Sequence, residues 1–394
     1  MKNIRILTAG ESHGKSLTGI ISGIPAGLDL NIDLINRHLA RRQQGAGRGK
    51  RMSIEKDTAE IVSGVRFGQT LGSPIGVRIQ NRDWENWQEV MSVSGPAAGK
   101  PVHIPRPGHA DLAGSVKYGH KDIRNVLERA SARETAMRVA LGSIARQFIG
   151  AAGIEIFSHV CSIGHVESGA SFVSCCGPDM EASVQAIKRM SDRADASAVR
   201  CADKEKARAM EDYIAGAKDR GDSAGGIFET GLCRVPAGLG SYAVWDQRFD
   251  AGITAAVMSI PGIKGVEIGA GFRAASLPGS QVHDPILMKH GRIERASNMA
   301  GGIEGGITNG QPVIIRSAMK PIPTLVQPLG SIDISDNTPA PAHKERTDVC
   351  AVPAAAIVAE SMCALYTADQ LLCKYGGDSM AEFMKHFGAA REGR

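Results

Sequence analysis

The chain has 394 residues, with 46 lysines and arginines against 41 acidic residues, which gives a formal net charge of +5. Its hydrophobic fraction of 43% and charged fraction of 22% are those of a globular protein and exclude a disordered or fibrous chain. No apolar run approaches the roughly 20 residues that span a bilayer, and Met1–Arg5 carries no apolar signal segment. We therefore expect a cytoplasmic protein that binds no membrane.

Short strands around one helix are predicted for the first 80 residues. Residues 4–8 and 74–80 are strand candidates, and residues 17–24 form an apolar run interrupted by glycine and serine. The spacing of apolar side chains over 32–42 predicts a helix. The proline-rich stretch 84–107 predicts a long surface loop, and loops of that length are often functional.

The rest of the chain alternates between helices and strands. A Ser-x-x-Glu capping box at Ser131 predicts a helix running to Phe148. Further helices are predicted over 181–190, 204–217, 246–258 and 352–373, and strands over 224–235 and 265–268. We expect one domain, residues 1–377, followed by a flexible tail, residues 378–394.

A short internal repeat suggests two related α+β halves. Pro25–Leu28 reads Pro-Ala-Gly-Leu, and the same four residues recur at Pro236–Leu239, each time before a helix candidate. No linker sequence separates the two copies. The prediction is therefore a single integrated α+β fold with an internal pseudo-duplication.

Metal binding and base stacking are both disfavoured. The eight cysteines form no Cys-x-x-Cys pair, and the histidines lack the spacings of metal ligands. Aromatic residues make up only 4% of the chain, which leaves few platforms for single-stranded nucleic acid. The sequence predicts no metal site and no nucleic-acid partner.

The first candidate site is the segment Ala9–Ser16. It ends in Gly-Lys-Ser, as a phosphate-binding P-loop does, but the residues that follow are β-branched, broken by glycine and end in proline, which argues against the required helix. Ser12 and His13, flanked by glycines, remain as groups that could approach a ligand and exchange a proton.

A basic loop follows the first helix. It carries six cations and no acid between Arg37 and Arg51, and five of the six are arginines, which suit bidentate recognition of carboxylate or phosphate. A small polyanion, a nucleic-acid backbone and a merely solvated charge run are all compatible with this composition. The interleaved Gly45, Gly47 and Gly49 favour a loop that folds over a small ligand.

Two later segments have the composition of an anion or cofactor site. Arg106–Asp111 presents His109 in a turn, and Arg129 and Arg133 flank the helix start at Ser131, where free N–H groups attract anions. Farther on, glycine pairs occur in 301–306. The proline-fixed turn of 320–324 and the charged step 346–348 follow them.

Together these segments resemble the chorismate synthase family over about residues 4–377. The resemblance is carried by residues 9–14, 106–111, 128–135, 265–269 and 301–306, which occur in the family's order. It implies a β-α-β sandwich and conversion of 5-enolpyruvylshikimate 3-phosphate to chorismate and phosphate by an anti 1,4-elimination in the shikimate pathway. It also implies a requirement for reduced FMN without net redox change, and a homotetramer.

The resemblance also assigns roles to residues. His13 would act as the acid towards the departing phosphate, His109 would protonate the flavin, and Asp348 would assist proton movement at its ring. Ser12 and Ser131 would hold substrate and flavin by hydrogen bonds. The flavin-binding set would be Arg129, Ala130, Ser131, Pro261, Gly262, Gly305, Lys320, Pro321, Ile322, Pro323, Thr324 and Arg346, although Pro261-Gly262 replaces the family's usual Asn-Ala.

The substrate carries a phosphate and two carboxylates, for which Arg42, Arg48, Arg51 and Arg133 are the candidate clamps. Arg42 and Arg48 also match positions assigned to NADP in the family, so NADPH is a possible reductant. An external flavin reductase is the other possible source of reduced flavin. A P-loop NTPase and a basic nucleic-acid-binding protein remain as alternatives from other functional classes.

Overall fold

The computed structural model describes residues 1–49, 55–289, 291–345 and 348–392. Its helices are α1 (Ile32–Gln43), α2 (Asp111–Tyr118), α3 (Arg124–Leu127), α4 (Thr135–Ala151), α5 (Met180–Asp195), α6 (Lys204–Asp219), α7 (Phe249–Met258), α8 (Gly279–Val282), α9 (Val352–Tyr375) and α10 (Met380–Glu392). Short 3-10 helices span Arg82–Asn86, Ala132–Glu134, Val173–Cys175, Trp245–Gln247 and Gly271–Ser276.

The strands are β1 (Arg5–Ala9), β2 (Ser16–Ser22), β3 (Ala59–Ile61), β4 (Val65–Arg66), β5 (Gln69–Thr70), β6 (Ile75–Gln80), β7 (Glu155–Ile163), β8 (Val166–Glu167), β9 (Gly226–Cys233), β10 (Ile263–Ile268), β11 (Ile286–Lys289), β12 (Arg292–Arg295), β13 (Ile303–Glu304), β14 (Ile307–Thr308), β15 (Val313–Met319), β16 (Gly330–Asp333) and β17 (Thr338–Pro341). Most of the predicted helices and strands are confirmed to within a few residues of their ends.

Two antiparallel sheets organise the chain. The first sheet has the strand order β1-β2-β6-β3, and the second has the order β10-β15-β9-β7-β8. Without its edge strand β8, the second sheet repeats the chain order of the first, because β7, β9, β15 and β10 take the places of β1, β2, β6 and β3. Each half of the chain therefore builds one sheet of the same topology.

Four helices, α1, α4, α7 and α9, fill the space between the sheets. Helix α4 packs on the first sheet, α9 packs on the second, and the two helices pack on each other. Every residue of α9 from Val352 to Asp369 is buried, as expected for a helix that is apolar on all sides. At the crossing, a Cβ on Gly142 would lie 2.4 Å from Ser361, so glycine permits this approach.

The repeated Pro-Ala-Gly-Leu segments occupy equivalent places in the two halves. In the first half the Thr70 hydroxyl accepts a hydrogen bond from the last N–H of Pro25–Leu28 (2.9 Å) and donates to its first carbonyl (2.6 Å). In the second half Thr308 makes the same two bonds to Pro236–Leu239, at 2.8 and 2.7 Å. The two copies of the repeat therefore make the same hydrogen bonds in the two halves. The predicted β-α-β sandwich of two related halves is confirmed.

This equivalence predicts similar losses of stability at the two threonines. Thr70→Val and Thr308→Val each leave a buried N–H without its acceptor, so each variant is expected to lower the free energy of unfolding by about 1–3 kcal/mol in urea titrations. Thr18→Val, on an exposed face of β2, is the matched control, with an expected change within about 0.5 kcal/mol. A loss confined to one half would contradict the proposed equivalence.

The predicted flexible tail is wrong for residues 380–392. These residues form helix α10, whose Phe383 is fully buried and whose Phe387 is 4% exposed. Phe383 packs against Phe148 of α4 with ring centroids 4.8 Å apart. The physical reason is apolar burial, because α10 covers one end of the same hydrophobic core that both sheets share.

The predicted capping box is correct only in part. The Ser131 hydroxyl accepts a hydrogen bond from the Arg133 N–H (3.3 Å), but it caps the 3-10 turn that precedes α4. The Glu134 carboxylate pairs with Arg138 at 2.8 Å. Among the described residues, no helix combines the length and the apolar character needed to cross a membrane.

Candidate active site

A cavity of about 600 Å³ lies between residues of the two halves. The first half contributes the β1–β2 turn, the loop after α1, the 106–110 turn and the start of α4. The second half contributes the end of α7, the turns after β15 and the start of α9. The lining includes Ser12, His13, Arg42, Arg48, Arg106, His109, Ala130, Ser131, Arg133, Pro261, Gly262, Lys264, Met319, Lys320, Pro321, Ile322, Pro323, Thr324, Glu345 and Asp348.

His13 is held by a buried carboxylate. Its Nδ1 lies 3.0 Å from both oxygens of Glu128, and its backbone N–H donates to the same carboxylate at 2.9 Å. The turn is also fixed by the Ser12 N–H, which donates to the Glu128 carbonyl at 3.0 Å. Ser12 and Ser131 lie together, with their hydroxyl oxygens 3.1 Å apart. The predicted Ser12-His13 pair and the predicted helix start therefore meet in one wall of the cavity.

His109 is likewise held by a buried carboxylate, that of Asp111, which lies two residues farther along the chain. Its Nδ1 lies 2.5 Å from Asp111, a fully buried residue that also accepts from Arg106 Nε at 2.8 Å. Burial alone would raise the pKa of Asp111, but the hydrogen bonds from His109 and Arg106 outweigh it and hold that pKa well below its usual value. Asp111 is thus an anion at neutral pH and faces the Nδ1 side of His109.

Arg42 and Arg133 are buried and bound to protein acceptors. Arg42 Nε donates to Thr135 at 3.0 Å, and Arg133 Nη1 donates to Asp57 at 2.6 Å. Burial lowers the pKa of Arg42 to about 10, against the opposing effect of Asp57. Both arginines line the cavity, so they contribute positive charge while their guanidinium groups also hold its wall together.

Arg48 lies beside Asp348. The guanidinium of Arg48 donates to Asp348 at 2.6 Å, and the Gly49 N–H donates to the other carboxylate oxygen, also at 2.6 Å. The basic loop is thereby attached to the segment that precedes α9. This contact joins a predicted anion clamp to a predicted proton carrier that is 300 residues away in the sequence.

The charge of the described lining is mainly positive. Six cationic side chains (Arg42, Arg48, Arg106, Arg133, Lys264 and Lys320) face two carboxylates, Glu345 and Asp348. Burial, followed by repulsion from Lys264, lowers the pKa of Lys320. Burial opposes ionisation of Glu345, yet the hydrogen bond from His343 and the nearby charges lower its pKa. An anionic ligand would relieve the repulsion among these cations.

Comparisons with known proteins match this arrangement to one family. The family model described as chorismate synthase matches residues 4–372. The chorismate synthase of Aquifex aeolicus is 52% identical over 390 residues, which are 98% of this chain and 97% of that protein. That of Geobacter sulfurreducens is 50% identical over 394 residues, again 98% and 97% of the two chains. The chain belongs to the chorismate synthase family.

A solved structure supports the same assignment at the level of the fold. A crystal structure of chorismate synthase superposes with a TM-score of 0.79 at 44% identity, and the match covers 99% of this chain and 98% of that one. The predicted chorismate synthase fold is confirmed, and the chain is an enzyme of this family, the lyases that form chorismate in the shikimate pathway.

Most residues that the chorismate synthase resemblance singled out are brought together. Ser12, His13, Arg42, Arg48, His109, Ala130, Ser131, Arg133, Pro261, Gly262, Lys320, Pro321, Ile322, Pro323, Thr324 and Asp348 all line the cavity. Arg51 and Arg346 lie outside the described residues. The individual roles of these residues stay predictions.

Arg129 and Gly305 lie outside the described lining. The Arg129 guanidinium donates to the Thr8 carbonyl at 2.9 Å and to the Gly10 carbonyl at 3.1 Å, so its side chain follows β1. Gly305 lies in the tight turn between β13 and β14, with a positive φ of 57°. The flavin contacts predicted for both positions stay predictions.

The structure also shows groups that sequence reasoning missed. Glu128 and Asp111 occur in the motifs that identified the family, but no role followed from the motifs alone. Trp87, in the predicted 84–107 loop, stacks on His13 with ring centroids 4.0 Å apart. The proline-rich loop thus reaches the active site, and its length and its two tryptophans, Trp84 and Trp87, were the signals that could have indicated this.

The described residues do not form the structural features that a P-loop NTPase or a basic nucleic-acid-binding protein requires. Ser16 begins strand β2, antiparallel to β1, where a P-loop requires a helix. Of the arginines predicted in the basic loop, Arg41 and Arg42 lie in helix α1. Arg41 donates to the buried Glu360 at 2.7 Å, Arg42 contacts Asp57, and Arg48 contacts Asp348. These arginines are therefore engaged inside the protein, whereas a nucleic-acid site would present them on an open surface.

One cluster outside the cavity has the residue types of a metal site. His159, Cys161 and Glu229 are buried, and their ligand atoms lie within 4.8 Å of one another. The Glu229 carboxylate already accepts hydrogen bonds from the Phe172 N–H and the Ser171 hydroxyl, at 2.7 and 2.9 Å, and lies 3.1 Å from His159. Both carboxylate oxygens of Glu229 are therefore engaged by hydrogen bonds within the protein.

Proposed function

We propose that the cavity converts 5-enolpyruvylshikimate 3-phosphate to chorismate and phosphate by an anti 1,4-elimination that requires reduced FMN. The observation that carries the proposal is the pairing of two cavity histidines, His13 and His109, with buried carboxylates at Nδ1. Each histidine can then present its other nitrogen as a proton donor or acceptor. A cationic lining suits a substrate with one phosphate and two carboxylates.

The lining has the chemistry that reduced FMN needs. Ile260, Ile263, Met319, Pro321 and Pro323 offer an apolar wall for a flat ring system. Lys320 and the hydroxyls of Ser131 and Thr324 offer polar contacts for its edges and phosphate. When bound, reduced FMN supplies electron density transiently to the substrate, with no net redox change.

The residues of this chain would bind, orient and exchange protons. His13 would donate a proton to the departing phosphate, and the positive charge of Arg48, Arg42 and Arg133 would favour the phosphate and carboxylate groups. His109 would protonate the flavin. Asp348, fixed by Arg48 and Gly49, would assist proton movement at the flavin ring.

Two points go beyond this reaction. A homotetramer is what the family resemblance implies, and the exposed cross-strand neighbours Leu7 and Ile20 on the first sheet, 71% and 43% exposed, are a candidate subunit contact. NADPH as reductant would use Arg42 and Arg48. The burial of Arg42 and the ion pair of Arg48 favour contact with an anion inside the cavity.

Anaerobic phosphate release from 5-enolpyruvylshikimate 3-phosphate tests the proposal. With chemically reduced FMN we expect turnover, and without flavin we expect none. A parallel reaction with oxidised FMN and NADPH separates the two sources of reduced flavin, because turnover there indicates intrinsic reduction and its absence indicates an external reductase. No release with reduced FMN from a folded sample would overturn the proposed reaction.

A further inference from the structure

Glu128 is buried behind His13 and outside the cavity lining. Its side chain is 1% exposed, and one carboxylate serves three groups: His13 Nδ1 at 3.0 Å, the His13 N–H at 2.9 Å and Arg124 Nη1 at 3.2 Å. The lining of the cavity includes His13 but neither Glu128 nor Arg124. The Glu128 carboxylate therefore makes no described contact with the cavity itself and meets a lining residue at His13.

Trp87 fixes the same imidazole from its face. The two rings are 4.0 Å apart between centroids and inclined by 25°, which is a stacked arrangement. The Arg124 guanidinium lies 5.3 Å from the Trp87 ring and also donates to Glu128, so one cation connects the carboxylate to the indole. The Trp87 indole N–H lies 3.3 Å from Asp83, which is buried. His13 is thus held at its edge and at its face.

We propose that Glu128 is a positioning residue that keeps the Nδ1–H of His13 directed at its carboxylate, so that Nε2 is the nitrogen offered to the cavity. The inference rests on the proposed function, in which His13 is a proton carrier. Because a carboxylate only accepts hydrogen bonds, it selects the orientation and tautomer that place a proton on Nδ1. The stacked Trp87 ring then restricts rotation of the His13 imidazole out of this orientation.

A purely structural role is the competing explanation. Glu128 also anchors the turn that carries His13, through the Ser12 and His13 N–H groups. A structural role predicts lower stability and weaker ligand binding with an unchanged environment of the imidazole. A positioning role predicts a lower kcat with a nearly unchanged KM, together with a changed contact between His13 and Trp87.

Trp87 fluorescence distinguishes these roles, since a stacked imidazole quenches an indole. In the full-length protein with Trp84→Phe and Trp245→Phe, Trp87 is the single tryptophan. His13→Ala in this background gives the unquenched emission. We expect Glu128→Gln to move the emission at least halfway to that value. Glu134→Gln, which alters a buried ion-paired carboxylate outside the lining, is expected to leave it unchanged.

Turnover of the same samples completes the test. We expect Glu128→Gln to lower kcat by about 10-fold, with KM within about twofold, since misorientation weakens but does not remove the acid. Glu128→Asp keeps the negative charge but moves it away from His13, so intermediate emission and an intermediate rate are expected. If Glu128→Gln does not fold, Glu128→Asp is the variant that tests the inference. Parental emission and kcat in the folded variants would overturn the inference. An inactive parent with the expected emission changes would overturn only the proposed reaction.

Discussion

Replacing either cavity histidine by alanine is expected to lower phosphate release by about 100-fold or more, the usual range for loss of a general acid or base. His13 and His109 each place Nδ1 within hydrogen-bonding distance of a buried carboxylate, Glu128 or Asp111, which orients both rings for proton exchange at the cavity. Because neither histidine is a large part of the apolar wall, the loss should appear in kcat. The measurement is the initial rate with saturating substrate and reduced FMN.

Two controls separate this chemistry from general damage. His165→Ala removes an exposed histidine that packs on Tyr213 away from the cavity, and full turnover is expected. Lys15→Ala tests the P-loop alternative, which requires this lysine, whereas the elimination does not. Lys15 is exposed and lies outside the described lining, so its variant should also remain active. An inactive Lys15→Ala beside an active His13→Ala would reverse the assignment.

The sequence predicted the elements whose signal is local. Helix α9 was recognised because its apolar residues are continuous and its length exceeds that of a strand. The internal duplication could be predicted from a repeat of four residues. In the structure, Thr70 and Thr308 form hydrogen bonds with the two copies in the same way. Three motifs of the resemblance, residues 9–14, 106–111 and 128–135, located much of the first half's share of the cavity because each contributes residues to its lining.

Helix α10 was missed although its signals were present. Met380, Phe383, Met384 and Phe387 have helical spacing, and Ser379 with Glu382 forms the capping box that begins the helix. The Ser379 hydroxyl accepts from the Glu382 N–H at 3.2 Å, and the Glu382 carboxylate accepts from the Asp378 N–H at 2.9 Å. A position near a chain end favours fraying, but in α10 this local pattern and the burial of Phe383 outweigh it.

Partners within the site could not be predicted in this way. Glu128 is 115 residues from His13, and Asp348 is 300 residues from Arg48. No spacing rule connects such pairs, because His13 and Glu128 meet only once the first half has folded, and Arg48 and Asp348 meet only when the two halves pack together. Arg129 shows the converse, since its place in a motif did not reveal that its side chain turns towards Thr8.

The largest effect on stability is expected at Glu360, a buried carboxylate on α9. It is 1% exposed and accepts from Arg41 at 2.7 Å, from Arg146 at 2.5 Å and from the Ser158 hydroxyl at 2.5 Å, with Arg200 at 3.7 Å. Glu360→Ala leaves the buried Arg200 and the partly buried Arg41 and Arg146 without the carboxylate that they share. The free energy of unfolding should therefore fall by about 3–5 kcal/mol in urea titrations.

An exposed ion pair provides the matched control. Glu60 and Arg78 are 57% and 49% exposed and lie 2.7 Å apart on the first sheet. Because water screens such a pair, Glu60→Ala is expected to cost no more than about 1 kcal/mol. If Glu360→Ala lost no more stability than Glu60→Ala, water would have to reach the arginines, and the network would not be a buried one.

The same carboxylate predicts how stability changes with pH. Burial would raise the pKa of Glu360, but Arg41 and Arg146 outweigh it and hold that pKa well below its usual value. A depressed pKa contributes stability above the unfolded value of about 4.3, and this contribution is lost as the pH falls towards the folded value. Glu360→Gln has no such proton to bind, so its stability should decline less steeply than that of the parent below about pH 4.3. Equal slopes would show that other carboxylates, and not Glu360, dominate acid unfolding.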